Sequence, residues 1–168
     1  MINKNKKGFT LIEVMIAIVI FSFGLLGVAG VMTVSVKNNH NGYMRSQAVI
    51  LAQSVVDMMR RNHWAVWQNA YNGTFSGVID TRSICSSGAC NCTEIANRDT
   101  AKWGSMISQS LPASQGVIAC APIGVAGADG ACGRAETPYL GVCTITITWN
   151  ESNQNGIQPQ TYVLTSQP

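Results

Sequence analysis

Charge is the scarcest feature of this 168-residue chain. Asp, Glu, Lys and Arg together make up 11% of it, under half of the ~25% usual in soluble domains. With hydrophobic residues at 46%, so little charge excludes intrinsic disorder and argues against a free cytosolic protein. Histidine is almost missing. His40 and His63 lie far in sequence from the cysteines, and the C-x4-C-x-C spacing of Cys85, Cys90 and Cys92 is not a zinc pattern, so no metal site is expected. There is no internal repeat, no triad-like setting of Ser, His and acid, and no phosphate-cradling glycine motif. Gly124–Gly133 is glycine-rich but neither follows a nucleotide-type strand nor opens a helix, and reads as a loop. Neither enzymatic activity nor a cofactor is expected. The formal net charge of +3 has a local origin: Lys4, Lys6 and Lys7 supply the excess, and beyond residue 8 the charges balance. A basic nucleic-acid-binding surface is therefore not indicated. The length fits one ordinary domain.

The missing charges leave one long gap. From Phe9 to Val36 the only ionisable residue is Glu13, and the run exceeds the roughly 20 residues that cross a bilayer core. Three lysines precede it and only Lys37 follows closely, so the positive-inside bias puts the N-terminus in the cytoplasm and the remainder outside. An ordinary secretory signal, cut after Val28-Ala29-Gly30, is a rival reading. The apolar run is long for it, and a carboxylate sits near its start. A plain single-pass anchor is another, but it leaves Glu13 unexplained, since a charge at bilayer depth costs roughly 2.5–3.5 kcal/mol. Thr10-Leu11-Ile12-Glu13 also fits a capping box, which would make Glu13 a simple helix cap.

The segment Gly8-Phe9-Thr10-Leu11-Ile12-Glu13-Val14, behind a short lysine leader, closely resembles the class III signal of type IV prepilins and type II secretion pseudopilins. The resemblance implies cleavage between Gly8 and Phe9 by a prepilin peptidase, methylation of the new N-terminus, and retention of the apolar helix. It also implies a docking role for Glu13, whose carboxylate would meet the terminal amine of a neighbouring subunit. Gly24, Gly27 and Gly30 each weaken a helix by about 1 kcal/mol against alanine. They read either as a small-residue packing face or, as the resemblance implies, as a segment that loses helix on entering a filament.

Beyond the membrane, Met44, Ala48, Leu51, Val55 and Met58 keep helical spacing, with Val49, Ala52, Val56 and Met59 widening the stripe. One helix is expected from Thr10 to near Asn62, weakest at Asn38–Gly42, with Asp57 and Arg61 as an i,i+4 pair. His63, Trp64 and Trp67 read as core where the helix turns into the domain, with a stacking site for bases or sugars as the alternative. Asn69–Cys92 reads as a surface loop. A second helix is expected over Thr93–Ser110, ended by Pro112. Strands are expected over Gly116–Ala121, Val142–Trp149 and Gln160–Ser166, with Glu151–Gly156 turning the chain into the last. Cys143, Ile145, Ile147 and Trp149 share one face of their strand, with threonines on the other. The fold class is α+β, a long N-terminal helix packed on a small antiparallel sheet, which is the type IV pilin layout. The organisation expected is a cleaved leader (1–8), a membrane and assembly half of the helix (9–36), its exported half (37–62), and a globular domain (63–168). Asn72-Gly73-Thr74 and Asn91-Cys92-Thr93 match the glycosylation acceptor pattern, to which nothing is attached here.

Six exported cysteines read as a disulfide framework. Cys85, Cys90 and Cys92 precede the second helix; Cys120, Cys132 and Cys143 follow it. Three is odd, so full pairing requires at least one bridge between the groups. Local pairs are Cys85 with Cys90 or Cys92, and Cys132 with Cys143, which would leave Cys120 for the remaining cysteine of the first group. Asp57-Met58-Met59-Arg60-Arg61-Asn62, Asp99 with Trp103, Leu111-Pro112 and a Thr-Ile-Thr-Trp strand resemble the PilV-type minor pilins. Here Ala113-Ser114-Gln115 stands between Leu-Pro and Gly116, where that family has a glycine sooner. The resemblance implies a structural subunit held in the bacterial inner membrane and then displayed on a pilus at the cell surface. Its partners would be prepilin peptidase, other minor pilins, the major pilin and the inner-membrane assembly platform, with consequences for twitching motility or adhesion. A minor pseudopilin of type II secretion and a membrane-anchored adhesin or binding module are the alternatives.

Overall fold

The computed structural model describes residues 8–77, 90–123, 139–153 and 156–168. By contact the chain divides into two units, Met1–His40 and Asn41–Pro168. Helix α1 (Leu11–Arg61) runs through both.

In the first unit α1 is apolar all round and its side chains are exposed, and the helix is long and apolar enough to cross a membrane. Two of its hydroxyls are satisfied on the spot: Ser22 Oγ donates to the Ile18 carbonyl at 2.7 Å and Thr33 Oγ1 to the Ala29 carbonyl at 3.0 Å. Such back-bonding lets polar side chains sit in an apolar medium without an orphaned donor. The low-propensity stretch Asn38–Gly42 remains helical.

The second unit is built as its periodicities dictate. The stripe Met44, Ala48, Leu51, Val55 and Met58 is buried, as are Ala52, Val56 and Met59. Two helices follow α1: the short α2 (His63–Trp67) and the long α3 (Cys92–Ser110). Asn91 starts α3 with a complete capping box, its Oδ1 accepting from Glu94 N at 2.8 Å and Glu94 Oε2 accepting from Asn91 N at 2.9 Å. The inner face of α3 buries Ala96, Thr100, Trp103 and Ile107, and Trp103 Nε1 donates to the Leu51 carbonyl of α1 at 2.8 Å.

Strands β1 (Gly73–Phe75), β2 (Gln115–Pro122), β3 (Gly141–Asn153) and β4 (Gly156–Ser166) form one antiparallel sheet in the order β1-β2-β3-β4. Cys143, Ile145, Ile147 and Trp149 face the core, as the alternation predicts. Gly116 lies beneath α3, where a Cβ would come within 2.6 Å of Trp103 Cζ3 and 2.7 Å of Ile107 Cδ1, so only glycine fits. After Pro112, Ala113 takes φ 47° and Ser114 Oγ donates to the Leu111 carbonyl at 2.9 Å, closing α3 before β2. The α+β layout is the one expected of a pilin.

Several local expectations need correction. Asn69–Cys92 is not all loop, because β1 pairs Gly73–Phe75 with β2 and Asn72 locks it there. The Asn72 Oδ1 accepts from Cys120 N at 2.8 Å, and its Nδ2 donates to the Cys120 carbonyl at 3.2 Å. The turn drawn over Glu151–Gly156 is tighter, since β3 runs to Asn153 and β4 begins at Gly156, whose φ of 100° suits glycine. Asp57 pairs with Arg60 at 3.1 Å rather than with Arg61. The leader lysines, Cys85, Cys132 and the Gly124–Gly133 loop reading lie outside the described residues, except for the leader's last residue, Gly8.

Candidate functional site

The N-terminal segment is short and open. Gly8 and Phe9 precede the helix, both exposed, with Phe9 82% accessible. Thr10 starts the helix: its carbonyl accepts from Glu13 N at 3.1 Å and Val14 N at 3.3 Å, and its Oγ1 accepts from Glu13 N at 3.3 Å. That is half of a capping box. The reciprocal bond from Thr10 N–H to the Glu13 carboxylate is absent among the described residues, unlike the complete box at Asn91 and Glu94. Capping therefore leaves the Glu13 carboxylate unengaged. It lies along one apolar groove of the helix with Phe9, Ala17 and Phe21, residues spaced by four.

Gly24, Gly27 and Gly30 lie within the continuous helix, and a Cβ at any of them would meet nothing within 4 Å. Among the described residues nothing packs against them.

At the far end of α1 the Asp57–Asn62 motif joins three elements. Met58 and Met59 are buried. Asn62 is 3% exposed, and its Nδ2 donates to the Cys92 carbonyl at 2.8 Å, tying the end of α1 to the start of α3. The Tyr71 hydroxyl donates to Asp99 Oδ2 at 3.1 Å and sits 3.4 Å from the Met58 carbonyl. Burial, and next the Asp99 charge, push the Tyr71 phenol well above its ordinary range. Trp67 is buried edge-on against Tyr139, centroids 5.1 Å apart, and Trp64 packs against the core. Trp67 is thus core, while His63 and Trp64 are half-buried at its edge.

A buried carboxylate escaped the sequence reading. Glu151 is 3% exposed in β3, and its oxygens accept from Arg45 Nε at 3.3 Å and from Trp149 Nε1 at 3.2 Å. Arg45 also donates to Gln160 Oε1 at 3.3 Å. The available signal was the continued alternation past Trp149, which places residue 151 inward.

The disulfide arrangement differs from the expected pairing. Cys120 and Cys143 are bonded to each other, where Cys120 was expected to reach the first group and Cys143 to take Cys132. The reason is register: Cys120 on β2 stands directly opposite Cys143 on β3, with Cα atoms 3.9 Å apart. Cys90 and Cys92 are also disulfide-bonded, and there is no free cysteine among the described residues. Those residues hold no cluster of three or more His, Cys, Asp or Glu side chains suited to a metal.

Compared with known families, residues 3–29 match the prokaryotic N-terminal methylation motif. No curated protein and no solved structure matches the chain. The match covers the leader from residue 3 on, the Gly8–Phe9 junction, Glu13 and the first part of α1, so the N-terminus carries a signal of the prepilin type. Such a signal implies processing by prepilin peptidase and assembly with other pilin-like subunits.

Proposed function

We propose that this protein is a minor pilin of the PilV type, a structural subunit that acts in the initiation or tip complex of a type IV pilus. The supporting observation is the prepilin-type motif over residues 3–29 leading into an exposed apolar helix whose one carboxylate is left unengaged. After cleavage between Gly8 and Phe9 the helix would hold the subunit in the inner membrane, N-terminus inward, until the assembly platform passes it to its partners. Those partners are other minor pilins and the major pilin. The amine freed at Phe9 would be a cation in an apolar layer. Pairing it with Glu13 of a neighbour offsets part of the burial cost of both charges and sets the register between subunits. The Gly24, Gly27 and Gly30 segment supplies the weak stretch at which the helix can loosen during packing. The folded second unit would then be displayed at the cell surface, in support of motility or adhesion.

The test is a deletion strain, with the same strain carrying the intact gene as the restored control. Loss of surface pili with normal exoprotein release is expected. Loss of exoprotein release with normal pili would assign the chain to a secretion pseudopilus instead.

A further inference from the structure

Among the residues of the four strands the one charged side chain is Glu151, and it is buried on the core side. The outer face of the sheet is therefore without charge, although a solvated sheet face ordinarily carries polar and charged side chains. Thr144, Thr146 and Thr148 of β3 stand there, flanked on β4 by their direct partners Thr165, Val163 and Thr161. On β2 their partners are Ala119, Val117 and Gln115. Val163, at the centre, is 53% exposed. Both ends of the face are apolar. At one end the Ile123 N–H donates to the Leu140 carbonyl, and both side chains are exposed beside Val142. At the other, Ile157 is 70% exposed near Pro159.

Thr148 Oγ1 donates to the Gln115 carbonyl at 3.4 Å, but the hydroxyls of Thr144, Thr146, Thr161 and Thr165 have no partner among the described residues. A patch of one charge repels its own copy. A hydroxyl both donates and accepts, so a threonine array complements itself. β-branched side chains interdigitate when two sheets stack about 10 Å apart. From Leu140 to Ser152 the face is about 40 Å long and, over three strands, about 15 Å wide. Each copy would cover roughly 600 Å² and the pair roughly 1,200 Å², which clears the ~1,000 Å² of a specific interface. Symmetry favours the face over the free β4 edge. Antiparallel pairing of two β4 edges turns one copy about an axis normal to the sheet and reverses α1. An axis between two facing sheets, parallel to the α1 segment that shares the core, leaves both helices running the same way. Two chains anchored in one membrane by α1 need the second arrangement.

We propose that the outer face of β2–β4 docks on the same face of a second copy, with Thr146 beside the two-fold axis, so that the two sheets stack as a sandwich and the free hydroxyls bond across it. The apolar ends meet apolar ends in either sense of the axis. The face is small for a stable dimer in dilute solution, and anchorage of both chains in one membrane supplies the effective concentration that completes the pair. The pairing rests on membrane anchorage alone and holds for a pilus or a secretion pseudopilus alike.

The experiment uses the full chain in phosphatidylcholine vesicles, as an equal mixture of unlabelled and isotopically heavy copies. A benzoylphenylalanine photo-crosslinker replaces Val163, or Thr161 in a second variant in case the first disturbs the pairing. Illumination should join position 163, or 161, to a peptide from the outer face (residues 140–165) of another copy, with mixed label in the linked peptides. Thr146→Lys and Thr146→Asp should each lower the yield at least about tenfold, because like charges then meet at the axis. Mixing the two variants should restore it, which also shows that both fold. No linked pair at either position, linkage within one chain only, or linkage to residues 9–40 of the other copy would overturn the proposal. So would an undiminished yield from the Lys variant, or failure of the mixture to recover. The same crosslinkers in membranes of the native host should again capture this chain, and capture of a different protein in its place would overturn the proposal as well.

Discussion

Glu13 stands alone as an ionisable residue between Phe9 and Val36, and the helix start uses its backbone N–H but not its carboxylate. A cap would show the reverse bond as well, as Glu94 does at the start of α3. Glu13→Ala is therefore expected to be cleaved and membrane-resident but depleted from sheared-pilus fractions at matched membrane levels. Normal incorporation would leave only a weaker helix start, a loss of about 0.5–2 kcal/mol. Tyr71 makes a second prediction at this scale. Its phenol is held above the ordinary value near 10 by burial first and the Asp99 charge second. Above about pH 10 the unfolded chain releases this proton while the native state keeps it. The native state then binds more protons, so stability is full below about pH 10 and falls as pH rises further. Burial raises Tyr139 in the same direction, so Tyr71→Phe should flatten the decline in urea midpoint above about pH 10 only in part. An unchanged slope would mean that Tyr71 ionises freely in the folded protein.

The elements of the second unit follow from periodicity, and their joints from register. The stripe from Met44 to Met58, the repeat from Ala96 to Ile107 and the alternation from Cys143 to Trp149 were legible because each buries one face against a core large enough to impose its period. β1 was not legible: it has three residues, only Phe75 among them is a large apolar side chain, and Asn72 holds its start through side-chain bonds to Cys120. The Cys120–Cys143 bridge was half legible. Both strands could be read from the sequence, but which residues stand opposite depends on the β2–β3 register, and no local pattern fixes that across the long connection. The bridge closes a separation of 23 residues, worth about 3 kcal/mol in the chain-entropy model. Parity now carries a sharper consequence. With Cys120 and Cys143 joined, Cys132 is the last member of its group, so full pairing sends it to Cys85, Cys90 or Cys92. Non-reducing peptide mapping should recover Cys120 linked to Cys143 and Cys132 linked to a first-group cysteine. A Cys132–Cys143 peptide would contradict the strand register itself.

At the scale of the whole molecule, the two units divide the work by solvent. The first exposes an unbroken apolar surface that only lipid or like helices can cover. The second buries its apolar stripe in a core shared with the sheet, and each of its described cysteines is disulfide-bonded. The proposed assembly role requires that the lysine leader be removed and the apolar helix kept. The Gly8–Phe9 junction is exposed and just ahead of the first helical turn, so a peptidase can reach it without unwinding α1. The direct test is intact-mass analysis of the protein extracted from membranes of its native host. The mature chain is expected to begin at Phe9 and to be one methyl group heavier than the unmodified sequence from that residue. A chain beginning at Val31, or one that retains Met1 and the leader lysines, would contradict the account.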